Sequence, residues 1–164
     1  MEDIPDRYDF IWASPPCTGF SVASMGKHWG GGYRKYIPIT DTSKLGLQLL
    51  DKTIYIISNK NPTYWCIENP MGVMRKIIDD IFKKYNVCNY KRETITYCQY
   101  GDKRMKPTDI WTNILNWNGK RCKNNAPCHE RAPRGSKTGT QGLKNNVERG
   151  RIPEKLIREI FNSI

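Results

Sequence analysis

Two short stretches hold side chains able to do covalent chemistry. The first is Ser14-Pro15-Pro16-Cys17-Thr18-Gly19-Phe20-Ser21, the second Ile67-Glu68-Asn69-Pro70. A thiolate is a strong nucleophile once a proton acceptor or a lowered pKa frees it, and it adds readily to an electron-poor ring carbon. A carboxylic acid close to the same ring can protonate or hydrogen-bond a ring nitrogen and ease that addition. Cys17 and Glu68 would therefore make a working pair if the fold brought them together. Taken singly, Cys17 could be a buried thiol, and Glu68 a solvated acid or the N-terminal carboxylate of a following helix.

The elements around them supply a way to meet. Residues 8–13 read Tyr-Asp-Phe-Ile-Trp-Ala, an aromatic and β-branched run suited to a buried strand. Pro15 and Pro16 cannot continue a sheet ladder, so Cys17 falls on a loop at the strand's C-terminal end. Residues 44–58 have helical apolar spacing, with Leu45, Leu49, Lys52 and Ile56 on one side and Leu50, Ile54 and Ile57 widening the stripe; Asp41, Thr42 and Ser43 offer caps. Residues 64–67 form a second strand, and Glu68-Asn69-Pro70 reads as the loop that ends it. Strands joined by one helix lie parallel, usually side by side with a right-handed crossover. Their C-terminal ends then face one crevice, where ligands bind in open α/β sheets.

Further along, residues 71–85 read as a helix, 92–97 and 109–114 as strands, and 154–161 as a short terminal helix after Pro153. The order predicts an α/β fold, a partial Rossmann-like domain with a mostly parallel sheet. Residues 1–115 are expected to form the core. Residues 116–151 are expected to be an irregular basic segment, and 152–164 a C-terminal helix packed on the core. Residues 26–36, rich in Gly, Lys, Arg, Trp and Tyr, read as a mobile basic loop in which His28 and Trp29 could pack on nucleic acid, although a lone His there is more often structural.

Composition narrows the partner. The 164 residues include 27 Lys and Arg against 16 Asp and Glu, a formal charge of +11, which favours a polyanion such as nucleic acid. The apolar fraction of 38% suits a globular domain, and no apolar run is long enough to span a bilayer. The acidic, polar start is no secretion signal, so a cytoplasmic location is expected and the six cysteines read as thiols. Cys122, Cys128 and His129 lie together, but their spacing departs from the usual zinc templates and Cys98 or Cys88 would have to supply a fourth ligand. No metal is assigned on sequence alone. Residues 131–144 combine Gly, Ser and Thr with basic side chains, a composition equally suited to phosphate contacts and to a solvated loop.

The two reactive stretches together resemble the DNA cytosine-C5 methyltransferases. Residues 14–21 are similar to that family's nucleophile loop, usually Pro-Pro-Cys-Gln-Gly-Phe-Ser, and residues 67–70 to its Glu-Asn-Val loop. Tyr100-Gly101 with Arg104, Lys106 and Thr108 looks like a diverged form of its Tyr-Gly-x-Pro-Gln-x-Arg-x-Arg strand. Position 18 is Thr where Gln is usual, and position 70 is Pro where Val is usual. Arg104 falls on the family's Gln, and Lys106 and Thr108 on its two Arg.

The resemblance implies that Cys17 attacks cytosine carbon 6 while Glu68 assists at nitrogen 3. Carbon 5 then takes a methyl group from S-adenosylmethionine, with the base flipped out of double-stranded DNA. It further implies that Pro16, Ser21, Asn69, Arg104 and Lys106 contact the substrate, that Ser14 and Pro15 face the cofactor, and that the setting is phage or bacterial. The family's Phe-x-Gly-x-Gly cofactor turn is not found before Cys17, which implies a truncated enzyme or half of a split one, with a separate chain supplying that segment. An alternative is a catalytically inactive DNA-binding module derived from such an enzyme. An amino-methyltransferase acting on exocyclic nitrogens would need an aromatic residue where Cys17 stands.

Overall fold

The computed structural model describes residues 7–22, 25–32, 35–123, 127–130 and 145–164. Within them the elements run β1 (Phe10–Ala13), a 3-10 turn (Cys17–Gly19), α1 (Met25–His28), β2 (Trp29–Gly30), β3 (Ile37–Pro38), α2 (Asp41–Lys60), β4 (Tyr64–Pro70) and α3 (Met74–Lys84). Then follow β5 (Lys91–Thr96), a second 3-10 turn (Tyr97–Tyr100), β6 (Pro107–Thr112), α4 (Asn146–Gly150) and α5 (Glu154–Phe161). The chain forms two compact units, one of Met1–Arg92 with Asp109–Leu115, the other of Glu93–Thr108 with Asn116–Ile164.

Four strands line up in the order β1-β4-β6-β5, and β2 pairs with β3 in a separate antiparallel ribbon. The expectation of a mostly parallel sheet is corrected: the sheet is mixed and mostly antiparallel. Among the described residues β1 and β4 are the parallel pair, in the register Phe10↔Tyr64 to Ala13↔Ile67. The start of β4 lies beside the end of β6, since Asn113 Oδ1 accepts from the Trp65 amide at 2.8 Å and Thr112 Oγ1 donates to the Trp65 carbonyl at 2.6 Å. Those two strands therefore run in opposite directions. Tyr97, just after β5, donates its amide to the carbonyl of Lys106, just before β6, which closes β5 and β6 as an antiparallel pair. Ten residues separate them, too few for the crossover a parallel pair requires. The strand-helix alternation of the first half was legible. The short connection that reverses the second half carries no local signal of the reversal; its Tyr100-Gly101 stretch, likened above to a family strand, lies in and just after a 3-10 turn.

In the first unit, α2 and α3 cover the sheet over a core that includes Phe20, Trp29, Leu50, Ile54, Ile57, Trp65, Ile67, Met74, Ile78 and Phe82. α2 begins in a capping box. Thr40 Oγ1 accepts from the Ser43 amide, and Ser43 Oγ from the Thr40 amide. Its buried face is Ser43, Gly46, Leu50, Ile54 and Ile57, whereas Leu45 and Leu49 are exposed, so the stripe is rotated from the expected one. The cause is Gly46: a Cβ there would lie 3.2 Å from the Phe20 ring, and the missing side chain lets that ring seat against the helix. Residues 26–36 are not simply a loop, since they include parts of α1 and β2. No helix among the described residues is long and apolar enough to cross a membrane.

In the second unit, α5 packs on the Tyr97–Tyr100 turn. Its Glu159 accepts from Tyr100 Oη and Trp117 Nε1, both at 3.2 Å, and pairs with Lys120.

Candidate active site

Cys17 opens the 3-10 turn that follows β1, and it is exposed together with Pro16 and Thr18. The turn closes on itself, with the Cys17 carbonyl accepting from the amides of Phe20 and Ser21 at 3.0 and 3.1 Å. Behind it sits Trp29, 6% exposed, whose indole donates to the Gly19 carbonyl at 2.5 Å. Gly19 itself lies against the start of α2, where a Cβ would come 3.2 Å from the Thr42 carbonyl oxygen.

Glu68 and Asn69 belong to β4 and are not in a loop after it; they are 5% and 0% exposed. Continuing the β1/β4 register by one residue sets Ser14 beside Glu68 and by two sets Pro15 beside Asn69. Asn69 Nδ2 donates to the Pro15 carbonyl at 2.8 Å, a buried link between the two stretches. The Asn69 Oδ1 atom is buried with no hydrogen-bond partner among the described residues. A second link lies two residues beyond β4: Ser21 and Gly72 form a β-bridge, and the Val73 amide donates to the Phe20 carbonyl at 2.8 Å. Gly72 is required there, because a Cβ would fall 2.0 Å from the Phe20 oxygen.

Ser14, Pro15, Pro16, Cys17, Ser21, Glu68 and Asn69 thus gather at one end of the β1/β4 pair, in the first unit. Arg104 and Lys106 belong to the second unit. Arg104 is 5% exposed and forms a fork with Asp102, while its Nη1 reaches the Arg149 carbonyl at 3.1 Å. Lys106 Nζ donates to the same carbonyl at 3.2 Å and lies over the Tyr97 ring. Residues 131–144 lie outside the described residues.

His28 and Trp29, which could have packed on nucleic acid, are instead buried, His28 in the structural role that is commoner for a lone histidine. His28 Nδ1 meets Thr40 Oγ1 at 2.6 Å, and the His28 carbonyl accepts from Ser43 Oγ at 2.8 Å. They fix the turn to α2, a positioning role with no sequence signal beyond an aromatic residue just before the Gly30-Gly31-Gly32 run. Cys66, by contrast, is fully buried beside Thr112, and burial pushes its thiol up to about 12. It is no nucleophile at neutral pH, which leaves Cys17 as the exposed thiol at this strand end.

Little here could hold a nucleoside cofactor. The Ser14 hydroxyl accepts from Trp12 Nε1 at 2.9 Å and the Pro15 carbonyl is taken by Asn69, so the two residues expected to face the cofactor are engaged internally. Neither offers an acid for a ribose or a glycine turn for a close backbone approach. These residues do not by themselves fit an S-adenosylmethionine pocket.

A family model for C-5 cytosine-specific DNA methylase matches residues 1–98. The chain is 30% identical over 172 residues to a "Probable DNA (cytosine-5)-methyltransferase" of Frog virus 3 (isolate Goorha), covering 96% of this chain and 76% of that protein. Among solved structures it is similar to a mutant of DNMT2 from Spodoptera frugiperda, with 22% identity and a TM-score of 0.34 over 73% of this chain and 35% of the other. The curated relative comes from a frog virus, which gives no support to the phage or bacterial setting implied by the motifs.

Proposed function

This chain belongs to the C-5 cytosine-specific DNA methylase family, and from that premise we propose that it acts on cytosine in double-stranded DNA through Cys17 and Glu68. The family is associated with S-adenosylmethionine-dependent methylation. The observation that carries the proposal is the clamp between the two strand ends, the Asn69–Pro15 hydrogen bond with the Ser21–Gly72 bridge. It keeps an exposed thiol and a buried carboxyl at the tips of adjacent parallel strands.

The chemistry then follows from this chain's own side chains. The Cys17 sulfur bonds to carbon 6 of a flipped cytosine. The electron pair of the carbon 5–carbon 6 double bond moves toward carbon 5, and Glu68 stabilises the resulting enamine at nitrogen 3. Carbon 5 is now a nucleophile, able to take a methyl group from the donor. Loss of the carbon 5 proton and cleavage of the carbon–sulfur bond restore the ring and free the thiol. Pro16, Ser21 and Asn69 shape the rim of this end. Arg104 and Lys106 are proposed as substrate contacts of the second unit. Because Ser14 and Pro15 do not form a donor pocket, we assign donor binding to a segment beyond these residues, in this polypeptide or a separate chain.

The test does not need the donor. If carbon 6 is attacked, carbon 5 exchanges its hydrogen with water, so DNA carrying tritium at cytosine carbon 5 should release label with this chain and not with Cys17→Ala. Release that persists in Cys17→Ala, or none from the wild-type chain even with a family cofactor-binding segment supplied, would sink the reading. With donor present, DNA containing 5-fluorocytosine should trap a covalent adduct on Cys17.

A non-catalytic DNA-binding role is favoured by the +11 charge alone. It requires salt-sensitive DNA binding that survives Cys17→Ala with no tritium release from either protein.

A further inference from the structure

Away from the β1/β4 end, the second unit assembles a different set of thiols. Cys98, Cys122, Cys128 and His129 each offer one ligand atom, and these four atoms all lie within 4.8 Å of one another. Two sulfur–sulfur separations are 3.3 Å (Cys98–Cys122) and 3.7 Å (Cys98–Cys128), and His129 Nδ1 lies 3.7 and 3.6 Å from the Cys122 and Cys128 sulfurs. Tetrahedral zinc with bonds of about 2.3 Å to sulfur and about 2.0 Å to nitrogen sets sulfur–sulfur edges near ~3.8 Å and sulfur–nitrogen edges near ~3.5 Å. Cys98–Cys128 and both sulfur–nitrogen edges lie within about 0.2 Å of those values, and Cys98–Cys122 is about 0.5 Å shorter. Cys98 and Cys122 are buried, so two thiols face each other where a core would normally place apolar side chains.

The backbone has specific reasons to bring these residues together. Cys98 lies in the 3-10 turn that links β5 to β6. Residues 120–122 run beside the end of β5, with the Thr96 amide donating to the Lys120 carbonyl at 3.1 Å and the Cys122 amide to Thr96 Oγ1 at 2.7 Å. The next described stretch, 127–130, is returned by the Glu130 amide, which donates to the Lys103 carbonyl at 2.9 Å. Gln99 Nε2 donates to the Cys128 sulfur at 3.3 Å. Hydrogen bonds of this kind orient metal-bound thiolates.

We propose that Cys98, Cys122, Cys128 and His129 form a structural zinc site. Four protein ligands close the coordination sphere and leave no open position for water, so the metal holds structure and does no chemistry. It ties the connection between β5 and β6 to the segment on either side of residues 124–126. The sites are independent: the Cys17 reading can fail while this one holds.

Metal analysis of the full chain purified under reducing conditions, without a metal-affinity tag, should find one zinc per molecule. Cys122→Ser with Cys128→Ser should lose it, and Cys88→Ser, at an exposed thiol outside the cluster, should keep it. His129→Cys provides a variant expected to stay folded, since four thiolates also hold zinc. Its cobalt-substituted form should show stronger sulfur-to-cobalt charge-transfer absorption than the wild type, with ligand-field bands still of tetrahedral intensity. Wild-type protein free of zinc, zinc content unchanged in the double variant, or a cobalt spectrum unaltered by His129→Cys would each overturn the proposal. So would a Cys98–Cys122 disulfide in protein that takes up no metal after reduction.

Discussion

The two units use cysteine in opposite ways. In the first, Cys17 is exposed on a tight turn, with the Glu68 strand end fastened to it. In the second, three thiols and an imidazole point at one another, two of the thiols buried. A sulfur left open to solvent on a braced turn is arranged for a molecule that arrives and leaves. Sulfurs that share one centre are arranged for something that stays. Reactivity and cohesion thus come from the same residue type, separated by what surrounds it.

Breaking the first arrangement should have the largest effect. Cys17→Ala is expected to lower tritium release from cytosine on the order of a thousandfold or more, as loss of a covalent nucleophile does. Its melting temperature should be unchanged, because the side chain is exposed; a large fall in stability would show that the sulfur is structural. Next is the ion pair of Arg75 with Asp109, whose carboxylate is fully buried and bonded at 2.5 and 2.8 Å. Asp109→Ala removes the buried carboxylate that Arg75 grips at two oxygens and should cost about 3 kcal/mol in urea unfolding.

Gly72→Ala tests the brace itself. The added methyl meets the Phe20 carbonyl, so about 1–3 kcal/mol of stability should be lost, together with most tritium release. Retained release would show that the Ser21–Gly72 bridge is dispensable. Asn69→Ala removes one buried hydrogen bond and should cost about 1 kcal/mol, with a several-fold fall in release and little change in DNA affinity.

The smallest effect belongs to the second unit. Burial raises the Glu159 pKa, but hydrogen bonds from Lys120 and Trp117, the Lys120 charge and the Tyr100 hydroxyl outweigh it, holding the carboxyl below its ordinary 4.5. The resulting stability is present above that ordinary value and is lost as pH falls through the lower folded one. Glu159→Gln should therefore flatten the acid limb of the stability profile below about pH 4.5 and leave neutral-pH DNA binding unchanged.

Much of the first unit could be read in advance because local rules govern it. Two prolines stop a strand, a helix separates two strands, and a parallel pair follows with Cys17 and Glu68 at its tips. The terminal helix at 154–161 was equally plain from Pro153, which stands as its N-cap, one position before the first helical residue. Other features depend on contacts that no local pattern carries. Leu45 and Leu49 look as apolar as Leu50, and only the Phe20 ring seated at Gly46 decides which face is buried. The antiparallel run of β6 depends on a return between β5 and β6, and its sequence resembles any polar loop. Cys98 is 24 residues from Cys122, so spacing alone left the fourth member of that cluster open between Cys88 and Cys98.

The seat of the reactive turn carries one more consequence. Gly19 rests on the first turn of a twenty-residue helix, and Trp29 and His28 are bonded into the same corner. The sulfur's position is therefore settled when the chain folds and not when nucleic acid arrives. On the function proposed above, a base swung out of its duplex would meet an anvil already set in place. The entropy of association then falls on the DNA, which must distort, more than on the protein.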